Sequence, residues 1–234
     1  MYTDLRCQST LRDGSLDNAE QFAYDATIMS TQETTSIRLP PECEPALLDR
    51  FLKAEAMALW TVRSAQQQDV PPNVYAFLRK HEEDEQQHLA QFEAMIGRQP
   101  RERKRLPSVP QQWPILAVQI YGYESLGLEF ARLLLKLRPD LASILDDEVV
   151  HVAFFEREIR RILGSGLAEQ ARQSAVAWLR KLPTTVNRYL AAAVFDPFRP
   201  ALTERILAVI ERRFIETGLL QVRKRSRWRE DDRP

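Results

Sequence analysis

Two short stretches carry residue types that could do chemistry together: Glu85-Gln86-Gln87-His88 and Glu148-Val149-Val150-His151. On an α-helix, positions three apart share a face, so each Glu and His can reach one point in space. The sequence holds 3 histidines, and two of them sit in this spacing. A single Glu-x-x-His in a Glu-rich helical chain is a weak signal. Two copies that each interrupt an apolar stripe are a specific one. Helical bundles that hold a pair of metal ions use two such helices plus one Glu from each of two others. Four carboxylates and two imidazoles without a thiolate suit iron or manganese, and a redox-inert zinc pair less well. Bridging carboxylates would hold the ions close together, leaving open positions for dioxygen or peroxide.

The elements that must place these residues read as helices throughout. Glycine is scarce at 7 residues, and strand-like alternation is nearly absent, which predicts an all-α fold. A first helix is expected from about Pro45 to Gln68, with Glu55 on the stripe formed by Leu48, Phe51, Leu59 and Val62. Pro71-Pro72 end it, and a second helix runs from about Asn73 to Ile96 with the stripe Val74, Phe77, His81, Glu85, His88 and Phe92. Burying isolated carboxylates costs several kcal/mol unless they are paired or bind a metal. Three polar residues in succession on a core-facing stripe therefore call for a shared partner. A Pro-rich, basic crossover over 97–112 separates two similar halves.

A third helix from Trp113 to about Leu137 is apolar nearly all round and contains Tyr121, Tyr123, Glu124 and Glu129. The tyrosines are expected to be buried in the core. After a turn at Arg138-Pro139-Asp140, a fourth helix carries Ile144, Glu148, His151, Phe155 and Ile159. Two or three further helices are expected near 167–181, 184–195 and 200–219, punctuated by Pro183, Pro197 and Pro200. Equal distances from the turn pair Glu148 with Glu129, whereas Glu124 requires the third helix to end early or the helices to be offset by more than one turn. His81 shares the face of Glu85 and His88. It is expected to be partly exposed at the bundle end, with a ligand, or a donor behind the ligands, as the alternative. Glu82, Glu83, Asp84, Asp146 and Asp147 are assigned to the solvated face or to positions behind the ligands.

The order Glu, Glu-x-x-His, Glu, Glu-x-x-His resembles the ferritin-like di-iron carboxylate superfamily across residues 45–163. Within it, Glu124-Ser125-Leu126-Gly127-Leu128 and Asp147-Glu148-Val149-Val150-His151-Val152 are similar to an uncharacterised ferritin-like family. A looser similarity reaches the tRNA hydroxylase that acts on a thiomethylated, isopentenylated adenosine. The resemblance implies a ferritin-like four-helix bundle over 45–163 with accessory helices over 164–221. It implies Glu55, Glu85, His88, Glu124, Glu148 and His151 as ligands of two iron ions, manganese being the alternative, with Glu129 as an alternative or additional carboxylate. The implied function is a dioxygen-dependent oxidase or oxygenase acting on a small organic or nucleoside-like substrate and drawing on an electron donor. Iron oxidation and storage, or a dimanganese catalase, are the alternatives.

The totals narrow the partners. With 44% hydrophobic and 28% charged residues, the composition is that of an ordinary globular chain with a sizeable core. A formal net charge of +0 supplies no global field for nucleic acid or an anionic membrane, so nucleic acid is expected only as a tRNA-type substrate. No run is long and apolar enough for a membrane span, and Met1 is followed by polar sequence, not by an apolar leader. Cys7 and Cys43 make no disulfide framework, which suits a cytoplasmic protein. Residues 1–44 read as a loosely ordered arm with a short helix near 17–28. The end, 222–234, reads as a disordered tail with Arg223, Lys224, Arg225, Arg227 and Arg229. A homodimer is compatible with this pattern.

Overall fold

The computed structural model describes residues 37–100 and 105–221. The helix expected near 17–28, most of the 1–44 arm and the basic tail from 222 lie outside the described residues. The chain divides after residue 37, and the unit from residue 38 onward is the one considered below.

Among the described residues the regular structure is entirely helical. The α-helices are α1 Glu44–Ala65, α2 Pro72–Ile96, α3 Trp113–Leu135, α4 Ala142–Leu163, α5 Ala168–Tyr189 and α6 Arg199–Glu216. Single 3-10 turns at Pro41–Cys43, Pro139–Leu141 and Ala193–Phe195 lead into or join them. Helices α1, α2, α3 and α6 begin with a proline in the first turn, where the missing N–H would have no intrahelical partner. Gly97, at φ 71°, ends α2 in the left-handed conformation that a residue without Cβ adopts most readily. No described helix is long and apolar enough to cross a membrane.

Two helical hairpins, α1–α2 and α3–α4, face each other, with α1 against α3 and α2 against α4. Helices α1 and α3 run antiparallel. Arg138 after α3 donates to Glu44 at the start of α1 at 3.1 Å, and Ser64 near the end of α1 donates to the Pro107 carbonyl before α3 at 2.7 Å. Helix α3 is central, as its all-round apolarity predicts: 17 of its 23 residues are buried, and it packs on α1, α4, α5 and α6.

The C-terminal part departs from expectation in one respect. Residues 168–189 form a single helix, and Pro183 lies inside it. An interior proline forfeits one backbone hydrogen bond and costs about 3 kcal/mol. Pro183 is on the exposed face, and the stripe Ala171, Ala175, Trp178, Leu182 and Val186 stays buried on both sides of it. Continuous packing against α3 and α6 outweighs the local penalty.

The contact between α5 and α3 depends on Gly122. A Cβ at this position would lie 2.5 Å from the Trp178 ring, which stacks on Phe214 of α6 with ring centroids 5.5 Å apart. Gly122→Ala should therefore force the indole out of its seat and destabilise the fold by about 1–3 kcal/mol. Gly166→Ala, where nothing lies within 4 Å, should leave the thermal midpoint unchanged. Thermal unfolding of both variants beside wild type checks the pair, and equal midpoints for all three would contradict this packing.

Candidate metal centre

Each of the first four helices delivers at least one ligand-type side chain to a common interior point. Helix α1 brings Glu55, α2 brings His81, Glu85 and His88, α3 brings Glu124, and α4 brings Glu148 and His151. They form two groups. Ligand atoms of His81, Glu85, Glu124 and His151 lie within 4.8 Å of one another, and those of Glu55, Glu85, His88 and Glu148 do the same. Glu85 belongs to both, so its two oxygens can serve two neighbouring centres. All seven residues are buried, the most accessible being Glu124 at 7%.

Several of these atoms are left without hydrogen-bond partners: Glu85 Oε2, Glu148 Oε2, and the Nδ1 atoms of His81, His88 and His151. A buried polar atom without a partner costs about 1–3 kcal/mol, so a cluster of them marks a place where something else is held. The two motif histidines are oriented alike. His88 Nε2 lies 3.0 Å from Asp147 Oδ2, and its Nδ1 lies 3.5 Å from Glu55 Oε2. His151 Nε2 lies 3.4 Å from Asp84 Oδ2, and its Nδ1 lies 3.6 Å from Glu124 Oε2. An ionised Asp only accepts, so it keeps a proton on Nε2 and turns Nδ1 toward the cluster, where His88 gives up its second proton before it can ligate. The arrangement is crosswise: the Asp before each motif Glu steadies the histidine of the other hairpin. Lys80 pairs with Asp84 at 2.5 Å and orients it in turn.

His81 is fully buried, contrary to the exposed position expected for it. Its Nε2 lies 2.9 Å from Glu85 Oε1 and 3.6 Å from Glu124 Oε2, and its ring is 3.9 Å from that of His151. Burial pushes its pKa down to about 3, with the Glu124 charge opposing and the neighbouring histidines reinforcing, so the ring is neutral and able to ligate. Burial would also lower His88, but Glu55 and Asp147 overcome it and raise the ring to about 9. Glu85 and Glu148 are held well above the ordinary carboxylate range, first by burial and then by the other carboxylates. Glu124 moves the other way: burial pushes it up, and His81 and His151 more than compensate.

Glu124 and Glu129, both open at the sequence level, have different surroundings. Glu124 joins the cluster. Glu129 points away from it to Arg132 at 2.5 Å and Arg213 of α6 at 3.3 Å, and belongs to neither group. Counting from the turn misled because the connection is not symmetric. Helix α3 stops at Leu135, and the return begins with the 3-10 turn Pro139–Leu141, which rises about 2.0 Å per residue instead of about 1.5 Å. The early end of α3 moves the centre of the turn toward residue 137, and the 3-10 turn adds only about 1.5 Å, so Glu124 comes level with Glu148. Gly127, one turn beyond Glu124, allows the close approach: a Cβ there would sit 3.2 Å from Glu148 Oε2.

The tyrosines divide as well. Tyr121 is buried but stacks on Phe214, with centroids 5.4 Å apart, away from the cluster. Tyr123 is 50% exposed, against the expectation that it is core. It lines a cavity of about 440 Å³ whose wall includes Glu55, Glu85, Glu124 and Glu148. The carboxylate side of the cluster thus opens into a chamber between α1, α3 and α5. Sequence reasoning missed this chamber, since no periodicity reports an empty volume. It left Asp84 and Asp147 open between the solvated face and a position behind the ligands, and the structure places them on His151 and His88, although an Asp before Glu-x-x-His in both copies was a visible signal. A buried carboxylate outside the site was missed too: Trp113 and the exposed Arg161 donate to Glu158 at 2.6 Å each.

No family model, curated protein or solved structure matches this chain.

Among the described residues the ion-pair partners of Glu55, Glu85 and Glu124 are all histidines, and Glu148 has none. Without metal, the cluster should therefore oppose folding. Glu148 has a raised folded-state value, so metal-free protein should lose stability as pH rises past the ordinary 4.5 of a free side chain and toward that raised value. Glu148→Gln removes this loss. Thermal scans without metal should place the variant at or above wild type, by a margin that grows with pH. Adding ferrous or manganous ion should raise wild type only. A variant that melts lower than wild type in chelator at every pH would refute the charge argument.

Proposed function

We propose that this chain is a di-iron carboxylate oxidase or oxygenase of ferritin-like architecture, with α1 to α4 as its four-helix bundle. The observation that carries the reading is the pair of buried ligand groups sharing Glu85, in which Glu85 Oε2, Glu148 Oε2 and the Nδ1 atoms of the three histidines lack a hydrogen-bond partner. Two divalent ions would bring four positive charges to four carboxylates, the balance a buried site requires. The donor set fits such ions. Glu55, His88 and Glu148 would hold one, Glu124, His151 and His81 the other, and Glu85 both. A ligand set of oxygen and imidazole alone favours iron or manganese over metals that prefer thiolate. When bound, iron would supply the reduction of dioxygen.

The protein's own part is positioning. Asp84 and Asp147 keep the motif histidines in the ligating tautomer, and burial keeps His81 neutral. Apolar side chains such as Phe51, Val62, Leu116, Ile120 and Phe130 line part of the chamber where a substrate would meet the site. In an oxygenation, one oxygen atom would enter the substrate and the other would leave as water, with two electrons drawn from an external donor. The chamber favours an organic substrate over iron itself as the species oxidised, because iron oxidation needs no apolar volume of this size. A cytoplasmic setting and a separate reductase partner are part of the same reading.

Metal content after anaerobic ferrous loading is the direct test. Wild type should bind two irons per chain, gain thermal stability in proportion to the logarithm of free metal, and show an oxygen-dependent optical band when air is admitted. His151→Ala should lose at least one iron and the band while remaining helical by circular dichroism. Absence of stoichiometric iron in wild type would sink the di-iron assignment, and the same measurement with manganese would then decide between metals. Rapid disproportionation of peroxide by manganese-loaded protein would replace it with a catalase.

A further inference from the structure

The chamber beside the cluster is lopsided in its chemistry. Toward the C-terminal end of α1, its wall is apolar, with Val62, Leu116 and Ile120 facing Val109 of the crossover. Toward the other end lie two arginines, Arg50 of α1 and Arg188 of α5. Among the described residues neither guanidinium has a hydrogen-bond or ion-pair partner, while the nearby Lys53 is already engaged by Asp49 at 2.6 Å. Arg50 is only half-buried and acts electrostatically on the Tyr189 hydroxyl, another residue of the wall. Guanidinium groups left free at a cavity wall are suited to an oxyanion, which they can grip through several N–H donors in a fixed plane.

The spacing along α1 adds a length. Arg50 precedes Glu55 by five residues, a rise of about 7.5 Å, and Val62 follows it by seven, a rise of about 10 Å. A molecule whose charged head rests at Arg50 therefore passes Glu55 with its middle and ends among the apolar side chains. The cavity volume of about 440 Å³ accommodates one molecule of roughly the size of a two-ring acid.

From this juxtaposition we infer that the chamber binds an amphipathic organic anion, its single oxyanion head held by Arg50 and Arg188 and its apolar body laid across the carboxylate cluster toward Val62 and Ile120. The inference rests on the proposed metal site for what happens to the molecule, but not for how it is held. The head determines orientation, and the position presented to the site lies roughly 7 Å from it. Neutral molecules of the same shape fill the apolar end without being oriented.

Three probes of one shape separate the contributions: 2-naphthoate, 2-naphthyl phosphate and the neutral 2-naphthamide. Calorimetric or fluorescence titration under argon, with and without two equivalents of ferrous ion, gives the affinities. At least one anion should bind ~10-fold or more tightly than the amide, and which one does so distinguishes a carboxylate from a phosphate ligand. Arg188→Gln, on an exposed helix face, should reduce that preference several-fold, and Arg50→Gln with Arg188→Gln should reduce it to within about twofold. Iron content of the variants should match wild type, because neither arginine belongs to the ligand groups. Amide binding as tight as the acids in wild type would overturn the inference. So would an anion preference that survives the double substitution, since the head would then lie on the metal. A wild type that holds no iron defeats the metal assignment alone, because the preference is also scored without iron.

Discussion

Four carboxylates and three imidazoles gathered inside a helical interior are the constraint on which the rest of this structure depends. Each carboxylate alone would cost several kcal/mol to bury, and their mutual repulsion adds to that cost. Among the described residues no arginine or lysine pairs with a cluster carboxylate; Lys80 pairs with Asp84 and Arg132 with Glu129. The cluster is held in place by the surrounding helices at the expense of stability, which is characteristic of a binding site and unlike a structural salt bridge.

Much of the packing follows from keeping those groups in register. Helix α3 is buried on nearly all sides because it must bring Glu124 inward while supporting α5 and α6 behind it. Glycine appears where a side chain would spoil an approach, at Gly127 beside Glu148 and at Gly122 beneath Trp178. The crosswise pairs Asp84–His151 and Asp147–His88 tie α2 to α4 at the same level as the ligand groups. One hairpin thus orients the imidazole of the other, and neither half of the site is complete alone.

The open side of the cluster gives this arrangement direction. Histidines and their aspartates occupy the α2–α4 side, and the chamber lies on the α1–α3 side against the carboxylates. A molecule in the chamber meets oxygen ligands first, while the rings behind them are shielded by Phe77, which lies edge-on to His151 with centroids 6.1 Å apart. Arg50 and Arg188, without a partner among the described residues, give one end of the chamber a positive charge that the other end lacks.

Amino-acid sequence alone determined the helical class, the positions of α1 to α4 and five of the seven clustered residues, leaving Glu124 and Glu129 open. These are local matters: periodicity of 3.6 residues, prolines at first turns, and Glu-x-x-His interrupting an apolar stripe are all written within a single turn or two. Tertiary structure decided what depends on distances between helices. It separated Glu124 from Glu129, because α3 ends at Leu135, ahead of the turn expected at Pro139. It drew His81 into the cluster, because burial at the α2–α4 contact is invisible in a stripe that only names a face. It kept α5 whole through Pro183, since packing outweighed propensity. And it opened the chamber with Arg50 and Arg188 at one end, residues 138 positions apart in sequence that no local pattern could have joined.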